Sequence, residues 1–158
     1  MSRVVIIMGS KADLDWAEQI SRVLKGFEIE VISRIASAHK VPLKCYNLIK
    51  DYEKENVVFI TIAGMSNALS GFTDAQTHCP VIACPPYSDK FGGADLYSSI
   101  RMPSGVAPLT VISPEHAALA AAKILGLSNP GIQKRIIEFQ DKKRKELEEA
   151  DNNLVNEK

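Results

Sequence analysis

Short apolar runs alternate with segments of helical period from the first residues of the chain, and this alternation restricts its fold more than any other feature. The apolar runs are rich in β-branched residues and are bounded by Gly, Pro, Ser or Asn. They predict five strands, at Val4–Met8, Ile29–Ile35, Val57–Ile62, Val81–Cys84 and Leu109–Ile112. The first two intervening segments place apolar residues on one helical face: Trp16, Ile20, Val23 and Leu24, then Cys45, Leu48, Ile49 and Tyr52.

Strands that alternate with helices form right-handed βαβ units, and strands that read as continuous apolar runs are covered on both faces. The pattern therefore predicts an α/β protein, a three-layer αβα sandwich of flavodoxin-like type with a five-stranded parallel sheet. The 158 residues are 46% hydrophobic, which is enough for one domain with a full core over residues 1–158.

Two later segments extend this picture. Pro114–Leu125 is apolar almost all round and predicts a buried helix, packed within the chain or against another subunit. A last helix is predicted to begin near Gly131. From about residue 141 the chain is strongly charged, so we expect a solvated helix that frays, with a docking arm as the alternative.

Charge and cysteine content exclude several classes of function. Nineteen basic residues balance nineteen acidic ones, which argues against binding to nucleic acid or to an anionic membrane. The start of the chain lacks the features of a secretory signal, and no apolar run reaches membrane-spanning length, so a cytoplasmic location is expected. Three cysteines and three histidines show no metal-ligand spacing, which predicts reduced thiols and no metal.

The polar ends of the predicted strands indicate where a ligand would bind. In an open parallel sheet, ligands bind beyond the carboxyl ends of the strands, where the winding direction reverses. The ends of strands one to four read "MGSKAD", "SAHK", "AGMSN" and "CPPYSD". These loops are therefore the candidate site.

The first loop fits a phosphorylated sugar. Gly9 would allow a tight turn, and Ser10 with the free amides of the next helix could bind a phosphate. Asp13 would repel that phosphate but could accept hydrogen bonds from sugar hydroxyls. The alternative is that Ser10 or Asp13 only caps the helix.

The second loop contains the candidate proton carrier. His39 stands among Ser37, Ala38 and Lys40 at a strand end. The neighbouring cation of Lys40 favours a neutral imidazole that can accept a proton near pH 7, or it makes a second phosphate contact. A structural or surface role for His39 is the alternative. His78 and His116 are assigned to structure.

The third and fourth loops predict the other walls of the site. Gly64 permits close backbone approach, and Ser66 or Asn67 could cap the following helix so that its amides hold a carboxylate. A capped helix with no further role is the competing interpretation. Residues 84–105 form a long Gly- and Pro-containing segment, which we expect to act as a wall or lid.

No nucleotide-binding glycine motif accompanies these loops, so ATP and dinucleotide chemistry have no support in the sequence. A flavin mononucleotide carrier shares the predicted fold, but these loops offer only Tyr87 and Phe91 as aromatic partners for a flavin. A phospho-acceptor domain needs an aspartate where Ala63–Gly64 stand. A non-catalytic assembly protein is a further alternative.

Together the loops resemble the PurE family of purine-biosynthesis enzymes. The resemblance spans roughly residues 3–140 and rests on "MGSKAD", "SAHK", "AGMSN", "CPPYSD", "YSSIRMPSG" and "ILGLSNP". One branch, class I, is a mutase that acts on N-carboxyaminoimidazole ribonucleotide. The other, class II, carboxylates aminoimidazole ribonucleotide directly. Lys40 and Ser66–Asn67 resemble class II, whereas Ala12 departs from a frequent serine and leaves Ser10, Ser37 and Lys40 for the phosphate.

The resemblance implies a cofactor-free carboxylase. Carbon dioxide is the co-substrate, and neither ATP, biotin nor a metal takes part. It implies His39 as the catalytic acid–base, a ribose-phosphate side and a carboxylate side, and a homo-octamer with sites near subunit contacts. The implied phosphate-side residues are Gly9, Ser10, Asp13, Ser37, Ala38 and Lys40, and the carboxylate-side residues are Ala63, Gly64, Ser66 and Asn67.

Overall fold

The computed structural model describes residues 2–156, which form alternating strands and helices. The strands are β1 (Arg3–Met8), β2 (Glu30–Ile35), β3 (Val57–Ile62), β4 (Val81–Ala83) and β5 (Leu109–Thr110). The helices are α1 (Leu14–Gly26), α2 (Pro42–Tyr52), α3 (Ala68–Ala75), α4 (Tyr97–Ile100), α5 (Pro114–Gly126) and α6 (Pro130–Asn156). A short 3₁₀ turn covers Lys11–Asp13, and the segment Lys90–Leu96 contains 3₁₀ turns interrupted by a kink at residues 91–93.

All five strands are parallel and lie in the order β2-β1-β3-β4-β5. The chain thus adds β2 on one side of β1 and β3 on the other, so the winding direction reverses between β1 and β3. This order confirms the predicted α/β sandwich, and the crevice at the reversal is where such sheets bind ligands.

The sheet is buried on both faces because its central strands are apolar at nearly every position, with Arg3 of β1 and Thr61 of β3 as the polar exceptions. Alternate residues of β1 face opposite helix layers. Val4, Ile6 and Met8 pack with α1, α5 and α6, whereas Val5 and Ile7 pack with α2 and α3. All six residues of β3 are buried as well.

Helix α5 packs within the chain. Its Ala117, Ala118, Ala121 and Ala122 are fully buried, and α5 contacts both α1 and α6. Small alanine side chains let these helices approach closely. The burial of α5 therefore requires no second subunit.

The predicted strand ends differ from the structure most at β5, which ends at Thr110 rather than Ile112. As an edge strand it pairs only with Ile82 and Ala83 of the three-residue β4. Strand β4 is short because Cys84 is followed by two prolines, which have no N–H to donate to a sheet.

Helix α6 begins at Pro130, where the Asn129 side chain accepts hydrogen bonds from the amides of Gly131 and Ile132 at 3.1 and 3.2 Å. Only Ile132 and Ile136 are buried along its 27 residues, so its charged second half is exposed, as the sequence predicts. Within residues 2–156, no helix combines the length and the apolar character needed to cross a membrane.

We predict that Leu125→Ala lowers the free energy of unfolding by about 2–5 kcal/mol, since the side chain is 2% exposed and its removal leaves a cavity between α5 and the sheet. Urea denaturation followed by circular dichroism measures this change. The matched control is Leu127→Ala, where the side chain is 88% exposed and the change should stay within about 0.5 kcal/mol. Equal effects of the two variants would contradict the assigned core.

Candidate functional site

A cavity of about 620 Å³ opens at the carboxyl edge of the sheet. Its walls come from the loops that follow β1, β2, β3 and β4. The lining comprises Gly9, Ser10, Ala12, Asp13, Ser37, Ala38, His39, Lys40, Ala63, Gly64, Met65, Ser66, Ala68, Leu69, Pro86, Tyr87, Ser88, Asp89, Lys90 and Asp95. Every candidate site residue of the sequence analysis is among them except Asn67.

The strand register explains why these loops meet. Met8 is level with Ile35 on one side and with Ile62 on the other, so three strands end together. The Gly9 amide donates to the Ile62 carbonyl at 2.8 Å, and the Ala36 amide donates to the Met8 carbonyl at 2.9 Å. The three loops therefore leave the sheet side by side.

Gly9 lies at the bend that follows β1, and it bends without a left-handed backbone. Its amide also continues the ladder between β1 and β3. A Cβ added at Gly9 would lie 3.4 Å from the Ala63 Cβ. The absence of a side chain therefore keeps open the corner between the first and third loops.

The first loop forms a reciprocal helix cap. Asp13 accepts hydrogen bonds from the Ser10 amide at 3.0 Å and from the Ser10 hydroxyl at 3.2 Å, both through Oδ2. The Ala12 amide donates to Ser10 Oγ at 3.2 Å. The amides of Ser10 and Ala12, which the sequence analysis expects to be free for a phosphate, thus donate to the side chains of Asp13 and Ser10. Both side chains also line the cavity, so capping and ligand contact are compatible.

The second loop presents His39 and Lys40 to the cavity. The turn is closed by the Val41 amide, which donates to the Ser37 carbonyl at 3.0 Å, and by the Lys40 amide, which donates to Ser37 Oγ at 3.2 Å. The Ser37 hydroxyl hydrogen remains available for a ligand. His39 and Lys40 are exposed, and their side chains have no hydrogen-bond partner within residues 2–156.

Asn67 lies behind the third loop, and this corrects the expectation that it lines the carboxylate side. Its side chain is 4% exposed and accepts from the Ser70 amide at 3.1 Å, which caps α3. Its Nδ2 donates to the hydroxyls of Ser70 at 2.7 Å and Ser99 at 2.9 Å. A buried amide needs such partners, and they turn Asn67 away from the cavity.

The lining of the third loop is instead formed by Ala63, Gly64, Met65 and Ser66. Met65 was not among the predicted site residues. It adopts a left-handed backbone with φ of 57° and exposes 69% of its side chain. A non-glycine residue in this conformation is uncommon, and no sequence signal indicates it.

The fourth loop is held over the cavity by Trp16, a contact that sequence analysis missed. The Trp16 indole donates to the Cys84 carbonyl at 3.2 Å, and its ring meets the Tyr87 ring edge-on with centroids 5.4 Å apart. Residues 86–90 and Asp95 then form the wall that the sequence predicts. Between Lys90 and Asp95, residues Phe91, Gly92 and Gly93 are all left-handed, which reverses the chain.

The cavity is mixed in charge. Lys40 and Lys90 supply cations, and Asp13, Asp89 and Asp95 supply anions. Within the described residues, no group of three or more His, Cys, Asp or Glu side chains is arranged to hold a metal ion. The described lining therefore offers hydrogen-bonding groups of both charges, and the His39 imidazole beside them is a group that can exchange a proton near neutral pH.

The sequence model of the AIR carboxylase family matches residues 3–146. The chain belongs to the AIR carboxylase family. A phosphoribosylaminoimidazole carboxylase from Archaeoglobus fulgidus is 59% identical over 152 residues, which cover 96% of this chain and 84% of that protein. One from Treponema denticola is 45% identical over 153 residues and 96% of both chains.

The fold of the family is the fold of this chain. The crystal structure of Treponema denticola PurE has a TM-score of 0.95 at 44% identity and covers 98% of this chain and 99% of that one. Four of the six motifs that carry the family resemblance lie in the loops that line one cavity.

Proposed function

We propose that this protein catalyses the reversible, ATP-independent carboxylation of 5-aminoimidazole ribonucleotide with carbon dioxide, forming 4-carboxyaminoimidazole ribonucleotide. The observation that carries the proposal is the placement of His39 in one cavity with the loops that follow β1 and β3. Family membership and the names of its relatives support the same reaction.

The substrate supplies most of the reactivity. Its aminoimidazole ring is an enamine whose carbon 4 can attack carbon dioxide, forming a carbon–carbon bond once both reactants are held together. Carbon 4 then carries both a hydrogen and the new carboxylate. Loss of that hydrogen as a proton restores the aromatic ring. No ATP, biotin or metal is required by this sequence of steps.

His39 receives the proton. A neutral imidazole accepts it from carbon 4, and the imidazolium returns it in the decarboxylation direction. Because His39 is exposed and hydrogen-bonded to no described residue, the imidazolium can pass its proton to solvent after each turnover. The net products are the carboxylated nucleotide and one proton.

The ribose phosphate is assigned to the first two loops. Ser37 can donate its hydroxyl hydrogen, and the Lys40 ammonium adds a positive charge. Ser10 and Asp13 line the cavity from the same loop, and we assign Asp13 to the sugar hydroxyls. The carboxylate then lies towards Ala63, Gly64 and Ser66.

Water exclusion requires more than the single chain provides, since the cavity is open and His39 is exposed. Leu43 and Tyr46 at the start of α2, next to the His39 loop, expose 78% and 39% of their surfaces. These apolar side chains support a subunit contact beside the site. We propose that the protein forms the homo-octamer that the resemblance implies, and sedimentation velocity would measure the number of subunits. We also propose a cytoplasmic location.

The branch of the family is tested by supplying two substrates separately. We expect turnover of aminoimidazole ribonucleotide with bicarbonate-derived carbon dioxide in the absence of ATP, and little use of N-carboxyaminoimidazole ribonucleotide. Faster use of the N-carboxylated nucleotide would make the protein a mutase. A yellow purified protein with a flavin spectrum would overturn both the carboxylase and the mutase assignment. The lining argues against a flavin, because Tyr87 is the single Phe, Tyr or Trp among the described lining residues.

We predict that His39→Asn lowers turnover by a factor on the order of 100 or more, the scale of general acid–base catalysis, and leaves nucleotide affinity nearly unchanged. Steady-state kinetics and calorimetric titration with the nucleotide separate these effects. The control is His78→Asn, since His78 is exposed just before β4, at the opposite edge of the sheet. Near-normal turnover by His39→Asn would remove His39 from the mechanism.

Asp13→Ala should weaken binding of aminoimidazole ribonucleotide by about 10-fold to 100-fold, as expected for loss of a hydrogen bond to a charged group. It should also remove the Ser10–Asp13 cap, at a cost of about 1 kcal/mol in stability. The control is Asp15→Ala, an exposed first-turn residue of α1 outside the lining. Unchanged affinity in the Asp13 variant would leave Asp13 as a helix cap alone.

A further inference from the structure

The cavity wall after β3 contains a conformation that the local sequence does not favour. Met65 is left-handed, with Gly64 and Ser66 on either side lining the cavity. A side chain with a Cβ reaches this conformation only where surrounding contacts hold it. The position of this wall therefore depends on the contacts that hold the backbone at Met65.

One hydroxyl bonds the backbone on both sides of Ser66. Ser98 Oγ lies 3.0 Å from the Met65 carbonyl, to which it can donate, and it accepts a hydrogen bond from the Asn67 amide at 3.0 Å. Ser98 Oγ is also 2.7 Å from the Asp95 carbonyl. Its single hydrogen is shared between the two carbonyls, whereas the bond from the Asn67 amide does not compete with either.

A second bond ties the same two segments together. The buried Asn67 amide group donates to Ser99 Oγ at 2.9 Å, and Ser99 is 1% exposed. Consecutive serines of α4 thus hold the Met65 turn, one through the backbone and one through the Asn67 side chain. The same α4 begins two residues after Asp95, which lines the cavity from the fourth loop.

We infer that Ser98 is a positioning residue for carboxylation: its hydroxyl fixes the Gly64–Ser66 wall on the carboxylate side at the distance that the reacting carbon dioxide requires. This inference rests on the proposed function. Ser98 is not among the residues that line this cavity; it lines an adjoining cavity that shares Met65, Ser66 and Asp95 with it. We therefore assign it an action through the backbone of the turn and not through contact with the substrate.

The test is Ser98→Ala, assayed with saturating and limiting carbon dioxide. We expect kcat to fall by about 10-fold to 100-fold, the scale of a misplaced reacting group, and the apparent KM for carbon dioxide to rise. The KM for aminoimidazole ribonucleotide should stay within about twofold, because the first and second loops are untouched. Ser98→Thr keeps the hydroxyl and should recover most of the loss.

A matched control is Ser21→Ala on α1, which lies outside the lining and whose hydroxyl makes no hydrogen bond to described residues. It should retain full activity. Thermal unfolding of all variants shows whether a loss of activity follows from reduced stability. If the role of Ser98 were purely structural, Ser98→Ala would lose activity only near its unfolding temperature.

Hydrogen exchange provides a readout that does not depend on turnover. The Asn67 amide donates to Ser98 Oγ, so the peptide that contains residues 64–69 should exchange faster in Ser98→Ala and at the wild-type rate in Ser98→Thr. Unchanged exchange, or unchanged kinetics in an active protein, would overturn the inference. A wild-type protein that cannot carboxylate the nucleotide would instead overturn the proposed function, and with it any role of Ser98 in that reaction.

Discussion

The register between β1 and β3 is the constraint on which the site depends. Six residue pairs, from Arg3 opposite Val57 to Met8 opposite Ile62, align the two strands so that they end at the same level. The next amide, that of Gly9, continues the pairing by donating to Ile62. A shift of one residue would move alternate side chains to the wrong face, and both faces are packed with apolar residues of the two strands. Core packing thereby fixes the spacing of the loops.

The two sides of the cavity are held in different ways. On the side proposed for the phosphate, Lys40 and His39 extend from a short turn that is closed by Ser37, and their side chains are exposed. On the side proposed for the carboxylate, the buried Asn67 and the two serines of α4 fix the backbone. A long flexible cation suits a phosphate, which accepts hydrogen bonds from many directions. Carbon dioxide, the proposed co-substrate, is small and uncharged and offers few contacts, so a wall of fixed shape is better suited to hold it.

Sequence reasoning predicted the frame well because the frame is encoded locally. Continuous apolar runs gave β3 its observed bounds, and the proline before the Ala-rich segment marked the start of α5. The loops at the strand ends were found for the same reason. What sequence reasoning missed depends on contacts between distant residues. The Asn67 side chain turns inward to meet Ser99, 32 positions away, and Trp16 bonds to Cys84, 68 positions away. Neither pairing leaves a periodic signal in the sequence.

The buried thiols have a consequence for chemical probes of this protein. Burial raises the pKa of both Cys45 and Cys84 to about 11, although the Trp16 indole partly offsets the effect at Cys84. At neutral pH only about one molecule in 10,000 then carries a thiolate at either position. Electrophilic compounds that target cysteine will find little to react with beside the cavity, even though Cys84 directly precedes its fourth wall. A covalent ligand would instead be designed for the exposed amines of Lys40 and Lys90 or for the imidazole of His39.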